Sequence, residues 1–263
     1  MVGFSTRPKD TLASSIPYPD YPAEAMIALS LNDNEVLYQK NMHKVMLPAS
    51  LTKVLTAILS INLYQLDDYV IITNEMVNVE GSRVYLEVGD IISVKDLLYG
   101  LMLCSGNDCA MALGLHYSGN LNDFVILMNE LTTKIGMKNS TFNNPHGLDT
   151  TTENYTTAYD LAILFSYAMK NETFRMITET KNYHSEIYSE KNIYFKNKHR
   201  LIHSLTNVIG GKTGYTKKAK RTLITGFKEE YQEIVIVTLN ASSDWFIHQD
   251  LSERIFSNLE VGF

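Results

Sequence analysis

Pro48-Ala49-Ser50-Leu51-Thr52-Lys53 opens an apolar run, Val54-Leu55-Thr56-Ala57-Ile58-Leu59, that holds neither glycine nor proline. The run predicts a helix from Ser50 to about Tyr64, and positions i and i+3 of a helix lie one above the other on a single face. Lys53 is therefore expected beside the Ser50 hydroxyl. A serine hydroxyl becomes nucleophilic when a neighbour takes its proton, and an uncharged lysine amine can do that. Alone, the S-x-x-K spacing also fits a helix start with a solvated lysine, so its weight depends on its company.

Two triplets keep it company. Ser105-Gly106-Asn107 falls between two helical segments, and Lys212-Thr213-Gly214 leads into the terminal strands. S-x-x-K, S-x-N and K-T-G in that order form the set shared by penicillin-binding proteins and class A β-lactamases. A free lysine has a pKa near ~10.4, so Lys53 needs desolvation or a nearby cation to be a base at neutral pH. Lys212, brought close by folding, supplies such a cation. Ser105 can relay a proton to a departing nitrogen, and Asn107 can hold Lys53 and a substrate amide. Lys212 and Thr213 suit a terminal carboxylate, as a fixed cation beside a hydroxyl. Gly214 lets a substrate backbone approach its strand. In isolation, Ser105-Gly106-Asn107 reads as a turn and Lys212-Thr213-Gly214 as the start of a strand.

The chain resembles the serine-type D-Ala-D-Ala carboxypeptidases, the low-molecular-mass penicillin-binding proteins. Glu80-Gly81-Ser82, Ser105-Gly106-Asn107-Asp108, Phe142-Asn143-Asn144-Pro145-His146-Gly147-Leu148 and Gly211-Lys212-Thr213-Gly214-Tyr215-Thr216 are similar to the family's wording, over roughly residues 24–263. The resemblance implies a penicillin-binding protein/β-lactamase-like transpeptidase fold, with an antiparallel sheet between helical layers. It implies Ser50, Lys53, Ser105 and Asn107 as catalytic residues and Lys212, Thr213, Gly214 and Tyr215 as substrate-binding ones. The backbone N–H groups of Ser50 and Tyr215 would form the oxyanion hole. The implied substrate is a peptidoglycan stem peptide ending in D-Ala-D-Ala, with β-lactams as covalent inhibitors, no cofactor, no metal and an extracytoplasmic location. Two features depart from the family: Lys220 stands where glycine is usual, and Cys109 where alanine is. A β-lactamase would need a Glu-x-x-Leu-Asn sequence after Asn107, which is not found. A muropeptide-binding or penicillin-binding sensor with little turnover would carry the same groups.

Composition agrees with a globular enzyme. Hydrophobic residues make up 45% and charged ones 20%, and a net charge of −6 argues against nucleic acid as a partner. No apolar run reaches membrane-spanning length, and Met1 to Arg7 has no signal-peptide core, so export or tethering would require a segment upstream of Met1. Cys104 and Cys109 are expected to be buried free thiols. His199 and His203 are spaced like metal ligands, but Arg200 stands where a zinc protease has its glutamate base.

Along the chain, the prolines of residues 1–23 predict an extended arm before a single domain, 24–263, with a helical subdomain at its centre. Ala25 to Leu31 and Glu35 to Tyr38 read as a hairpin, and Val70 to Thr73 and Val84 to Val88 as short strands. Ser93 and Thr157 are helix caps, and Gly136 closes a helix bearing Phe124, Leu127, Met128, Leu131 and Ile135. Asn143 to Asp149 is a structural loop, with His146 outside the catalytic set. Residues 181–200 have no clear pattern. Thr222–Phe227 and Ile234–Leu239 form a hairpin about Glu229-Glu230, and a last helix from Asp244 presents His248, Leu251, Ile255 and Leu259, with Trp245 packed against it. Strands at both ends and helices between predict an α+β domain whose termini complete one sheet.

Overall fold

The computed structural model describes residues 18–186 and 192–260. In chain order, β1 (Ala23–Ser30) and β2 (Val36–Lys40) precede a 3-10 turn, Ala49–Thr52, that runs into α1 (Lys53–Leu63). There follow β3 (Tyr69–Ile71), α2 (Asn74–Val77), β4 (Ile91–Ser93), α3 (Val94–Leu103), α4 (Asn107–His116) and α5 (Leu121–Ile135). Then come α6 (Ala158–Ala168), α7 (Glu172–Glu179), β5 (Asn182–Glu186), β6 (Asn192–Lys196) and α8 (Arg200–Ser204). The chain ends with β7 (Val208–Thr216), β8 (Lys220–Glu229), β9 (Gln232–Ala241) and α9 (Asp244–Glu260).

The two ends do complete one sheet, in the order β2-β1-β9-β8-β7, with each neighbouring pair antiparallel. Its central strands are apolar on both faces because both faces are covered. Ile27, Leu29, Val235 and Val237 pack with the helical layer, while Met26, Ala28, Ile234 and Ile236 pack with Ile247, Leu251 and Ile255 of α9. That alternation is the period of two expected of a strand. α1 lies inside the helical layer, with every residue from Lys53 to Ser60 buried, which is why its sequence is apolar on all sides. β7 is left as an edge strand, and the turn carrying Ser50 packs beside it.

The caps fall where the sequence puts them. Ser93 Oγ accepts from the Asp96 amide, Thr157 Oγ1 accepts from the Asp160 amide, and Gly136 ends α5 at φ 88°. The two-residue link Glu230-Tyr231 joins β8 to β9. Two expectations need correction. Val84 to Val88 is not a strand: the buried Asp108 carboxylate accepts the amides of Val84, Tyr85 and Leu86, which leaves no ladder of donors. β3 pairs with β4 instead. Ser50 lies on the 3-10 turn before α1 rather than in its first helical turn. β5 and β6 pair antiparallel, and Tyr183 of β5 stacks on Tyr99 at 3.6 Å between ring centroids. Residues 1–17 of the expected arm and the terminal Val261-Gly262-Phe263 lie outside the described residues. Tyr21 is buried, its hydroxyl donating to Asp250 at 2.6 Å, and the sheet begins at Ala23.

Candidate active site

The nucleophile candidate is held by an unusual turn. Ala49 has φ 50° and precedes Ser50, and its carbonyl accepts from the Thr52 hydroxyl at 2.9 Å. Behind it runs the loop from Asn143 to Asn154. The Asn154 side chain accepts the Asn143 amide at 2.8 Å and donates to Thr52 Oγ1 at 3.0 Å. Gly147 turns at φ 86°, with the position a Cβ would take only 1.9 Å from the Ala49 oxygen. Only glycine meets both demands there.

Lys53 is fully buried and makes three contacts. Its Nζ lies 3.1 Å from Ser50 Oγ, 2.7 Å from Asn107 Oδ1 and 2.6 Å from the His146 carbonyl oxygen. Asn107 is fixed in orientation because its Nδ2 donates to the Glu80 carbonyl at 2.6 Å, so its oxygen must face the lysine. Burial pushes the Lys53 amine well below its ordinary pKa, and the Lys212 charge adds to the effect. A neutral amine has two hydrogens, and Asn107 Oδ1 and the His146 oxygen are pure acceptors that use both. The lone pair is then left for the Ser50 hydroxyl, which is the arrangement a general base requires.

Ser105 sits at φ 61°, a conformation uncommon for a residue with a side chain. Its hydroxyl accepts from Lys212 Nζ at 3.0 Å, and the same amine donates to the Thr213 carbonyl at 2.9 Å. Lys212 is buried, which with Lys198 brings its pKa down to about 7. Gly214 is required by packing: a Cβ there would come 2.4 Å from Thr222 Oγ1 and 3.0 Å from the Ser50 amide nitrogen. The strand edge and the Ser50 turn thus meet backbone to backbone. The Tyr215 ring is 64% exposed, so its place in the site belongs to its backbone on the edge strand.

These groups open on a cleft of ≈ 320 Å³ lined by Ser50, Ser82, Ser105, Thr213, Gly214 and Tyr215, and further along by Lys198, Arg200, Arg221, Asp244 and Trp245. Folding therefore brings together every site residue expected from sequence, with Lys53, Asn107 and Lys212 beneath the surface of the cleft. The sequence reading missed the far wall and the His146 carbonyl. The wall has a faint signal in retrospect: Lys196, Lys198 and Arg200 are exposed while Asn197 and His199 are buried, an alternation hidden by polar residues on both sides. The His146 ring is turned to its own loop, its Nδ1 accepting the Leu148 amide at 3.0 Å, and burial lowers its pKa to about 3.

His199 Nε2 lies 3.1 Å from the Ile224 carbonyl and 3.0 Å from Thr225 Oγ1, and His203 Nε2 bonds the Asn197 carbonyl at 2.8 Å. The two rings thus face separate carbonyls. Trp245 stands edge-on to His199 at 5.1 Å and also faces the cleft. Lys220 is exposed at φ 60° as the first residue of β8, a backbone position that explains glycine as the usual residue; it does not line the cleft. Cys109 is buried in α4 and Cys104, which ends α3, is half-buried; both are free.

The sequence model of a family described as D-alanyl-D-alanine carboxypeptidase matches residues 11–243. D-alanyl-D-alanine carboxypeptidase DacF of Bacillus subtilis is 32% identical over 228 residues, covering 85% of this chain and 58% of the relative, so the chain spans less than two thirds of that protein. A crystal structure of a D-alanyl-D-alanine carboxypeptidase from Mycobacterium tuberculosis superposes with a TM-score of 0.88 at 29% identity, covering 93% of this chain and 95% of that one. A Streptomyces DD-transpeptidase superposes with a TM-score of 0.84 at 30% identity, covering 92% and 98%. The α+β fold is that of the DD-peptidases and penicillin-binding proteins, and the chain belongs to the D-alanyl-D-alanine carboxypeptidase family.

Proposed function

We propose that this protein is a serine DD-carboxypeptidase that removes the terminal D-alanine from peptidoglycan stem peptides outside the cytoplasm and is acylated by penicillins on Ser50. The observation that supports it most is the desolvated Lys53 amine, 3.1 Å from Ser50 Oγ with two obligate acceptors on its other side.

In this reading the Ser50 proton passes to Lys53 as Oγ attacks the carbonyl of the penultimate D-alanine. The amides of Ser50 and Tyr215 receive the oxyanion, each such donor being worth roughly 10²–10³ in rate. Ser105 delivers its proton to the departing amine as the peptide C–N bond breaks and regains one from the Lys53 ammonium, so that D-alanine leaves and the lysine is neutral again. Water, deprotonated by the same lysine, then hydrolyses the Ser50 ester and restores the hydroxyl. Lys212 and Thr213 hold the terminal carboxylate. The roles of Ser50, Lys53, Ser105 and Asn107 in catalysis, and of Lys212, Thr213, Gly214 and Tyr215 in binding, are the working assignment. Among the described residues no group of three or more metal-ligating side chains is clustered, and no helix is long and apolar enough to cross a membrane.

The test is D-alanine release from diacetyl-Lys-D-Ala-D-Ala together with labelled-penicillin adducts read by intact-protein mass spectrometry. Release from the wild type and no adduct on Ser50→Ala are expected. A lasting adduct without D-alanine release would make the protein a sensor, and an adduct persisting on Ser50→Ala would remove the nucleophile assignment.

A further inference from the structure

The cleft carries more positive charge than one chain terminus needs. Its far wall presents Lys198, Arg200 and Arg221 against a single carboxylate, Asp244. That carboxylate is already satisfied: it accepts from Arg221 Nε at 3.1 Å and Nη2 at 2.8 Å, and from the Trp245 amide at 3.0 Å. Its side chain is only 4% exposed, so it offers little to a ligand. Lys198 and Arg200 are exposed, and no carboxylate among the described residues forms an ion pair with either.

Neutral contacts place both cations. Lys198 Nζ lies 3.4 Å from Ser82 Oγ, and its backbone amide donates to the Leu103 carbonyl at 3.0 Å. The Arg200 guanidinium stands 5.9 Å from the centroid of the Trp245 ring, a cation–π contact that holds it on the wall. The Lys198 charge is felt further inside, where it helps to depress both Lys53 and Lys212. Two like charges facing a concave site attract an anion and repel a cation, and a partly enclosed cleft focuses that field. A bound stem peptide brings one carboxylate at its end, which the proposed site meets with Lys212 and Thr213. Extended residues advance about 3.3 Å each, so the third residue of the stem lies within a side chain's length of the same cleft.

We infer that Lys198 and Arg200 select stem peptides whose third residue carries a side-chain carboxylate over those whose third residue carries a free amine. This rests on the carboxypeptidase reading above. It assigns the substrate a second negative charge and gives the far wall of the cleft the task of reading it.

Three peptides decide it: acetyl-X-D-Ala-D-Ala with X as 2-aminoadipate, Nε-acetyl-lysine or lysine. kcat/KM should fall in that order, by about tenfold from first to last at low ionic strength, as two surface ion pairs of the usual strength would give. In about 1 M salt the spread should shrink to about twofold. Arg200→Gln and Lys198→Gln should each compress it about threefold, and in Arg200→Gln the change should run through KM rather than kcat. Both side chains are exposed, so either variant reports independently should the other fail to fold. Equal kcat/KM for the three peptides, or a spread unchanged in the variants, would overturn the inference and leave the carboxypeptidase reading intact. No turnover of any peptide together with no penicillin adduct on Ser50 would instead overturn that reading, and the inference with it.

Discussion

The Lys53 amine donates to the carbonyl oxygen of His146 at 2.6 Å, so a loop distant in sequence supplies one of the acceptors that orient the proposed base. The loop reaches α1 twice, since the Thr56 hydroxyl donates to the neighbouring Pro145 carbonyl at 2.7 Å. Both bonds cross between elements, and the one to Pro145 is fully buried. The state of the lysine thus depends on backbone geometry as well as on the depth of its burial.

This predicts a sharp difference between replacements at Lys53. Lys53→Arg keeps a cation that cannot lose its proton, and Lys53→Met keeps an apolar stem with no amine. Both should lose penicillin acylation by at least about 10²-fold, the usual contribution of a general base. Lys53→Met should also unfold at higher urea than the wild type at pH 7, because it removes an amine whose charged form the fold disfavours. Acylation of the arginine variant at the wild-type rate would show that proton removal runs elsewhere.

Gly147 carries the second prediction. Alanine there meets the Ala49 oxygen and a φ of 86° together, so the turn before Ser50 must shift. Gly147→Ala is expected to cost about 1–3 kcal/mol of stability in urea denaturation and to slow acylation more than binding. Gly119, at φ 75° with open space around it, is the control: Gly119→Ala has the backbone strain without the collision and should acylate normally. Equal acylation by the two variants would separate the loop from the nucleophile.

Much of this was legible in the chain. Strands whose residues alternate between two apolar faces, and helices with Ser93, Thr157 and Gly136 at their ends, carry local signals that tertiary contacts reinforce. The S-x-x-K, S-x-N and K-T-G triplets named the residues that fold together around the candidate site because each motif places its chemistry on a short segment. What was not legible arises from contacts between segments. Asp108 turns Val84 to Leu86 from a strand into a pinned loop, and nothing in Val84-Tyr85-Leu86 announces it. The Ser50 turn packs against Gly147, where no side chain would fit beside the Ala49 oxygen. The cations of the far wall come from Lys198, Arg200 and Arg221, which only the sheet and α9 bring together.

Lys212 sets the third prediction. With burial holding its pKa near 7, its charge fades as pH rises through neutrality. If the charged amine holds the terminal carboxylate, kcat/KM for D-Ala-D-Ala substrates should fall above pH about 7, approaching tenfold per unit. The matching C-terminal amides should not show that fall, since they bring no anion for Lys212 to meet. Parallel profiles for acid and amide would remove the carboxylate from Lys212.

Acid sensitivity of the fold is the last prediction. His146 and His199 are held by burial at pKa values of about 3, and burial lowers His248 well below its ordinary value too. His248 is enclosed by Thr225 Oγ1 at 2.8 Å and Thr238 Oγ1 at 3.0 Å, and Thr225 also meets His199, so the network has no place for a charge. In the unfolded chain each ring titrates near ~6.5. Above that pH neither state binds the protons and the stabilising contribution is complete. As pH falls below it the unfolded chain takes up protons that the folded one refuses, so stability declines until the folded pKa is reached. Each histidine contributes up to about 1.4 kcal/mol per pH unit within the window. The lowered carboxyls of Glu233 and Asp250 act only below the ordinary carboxylate range, so the decline between pH 6.5 and 5 belongs to the histidines together with Lys53, whose buried amine also refuses a proton that the unfolded chain holds. Urea midpoints at pH 7.5, 6 and 5 should therefore drop steadily, and His199→Gln, which retains a donor for the Ile224 carbonyl, should flatten the slope by the share of one ring. A midpoint constant across that range would mean the rings reach protons without unfolding, which the closed hydrogen-bond chain from His199 to Thr238 does not permit.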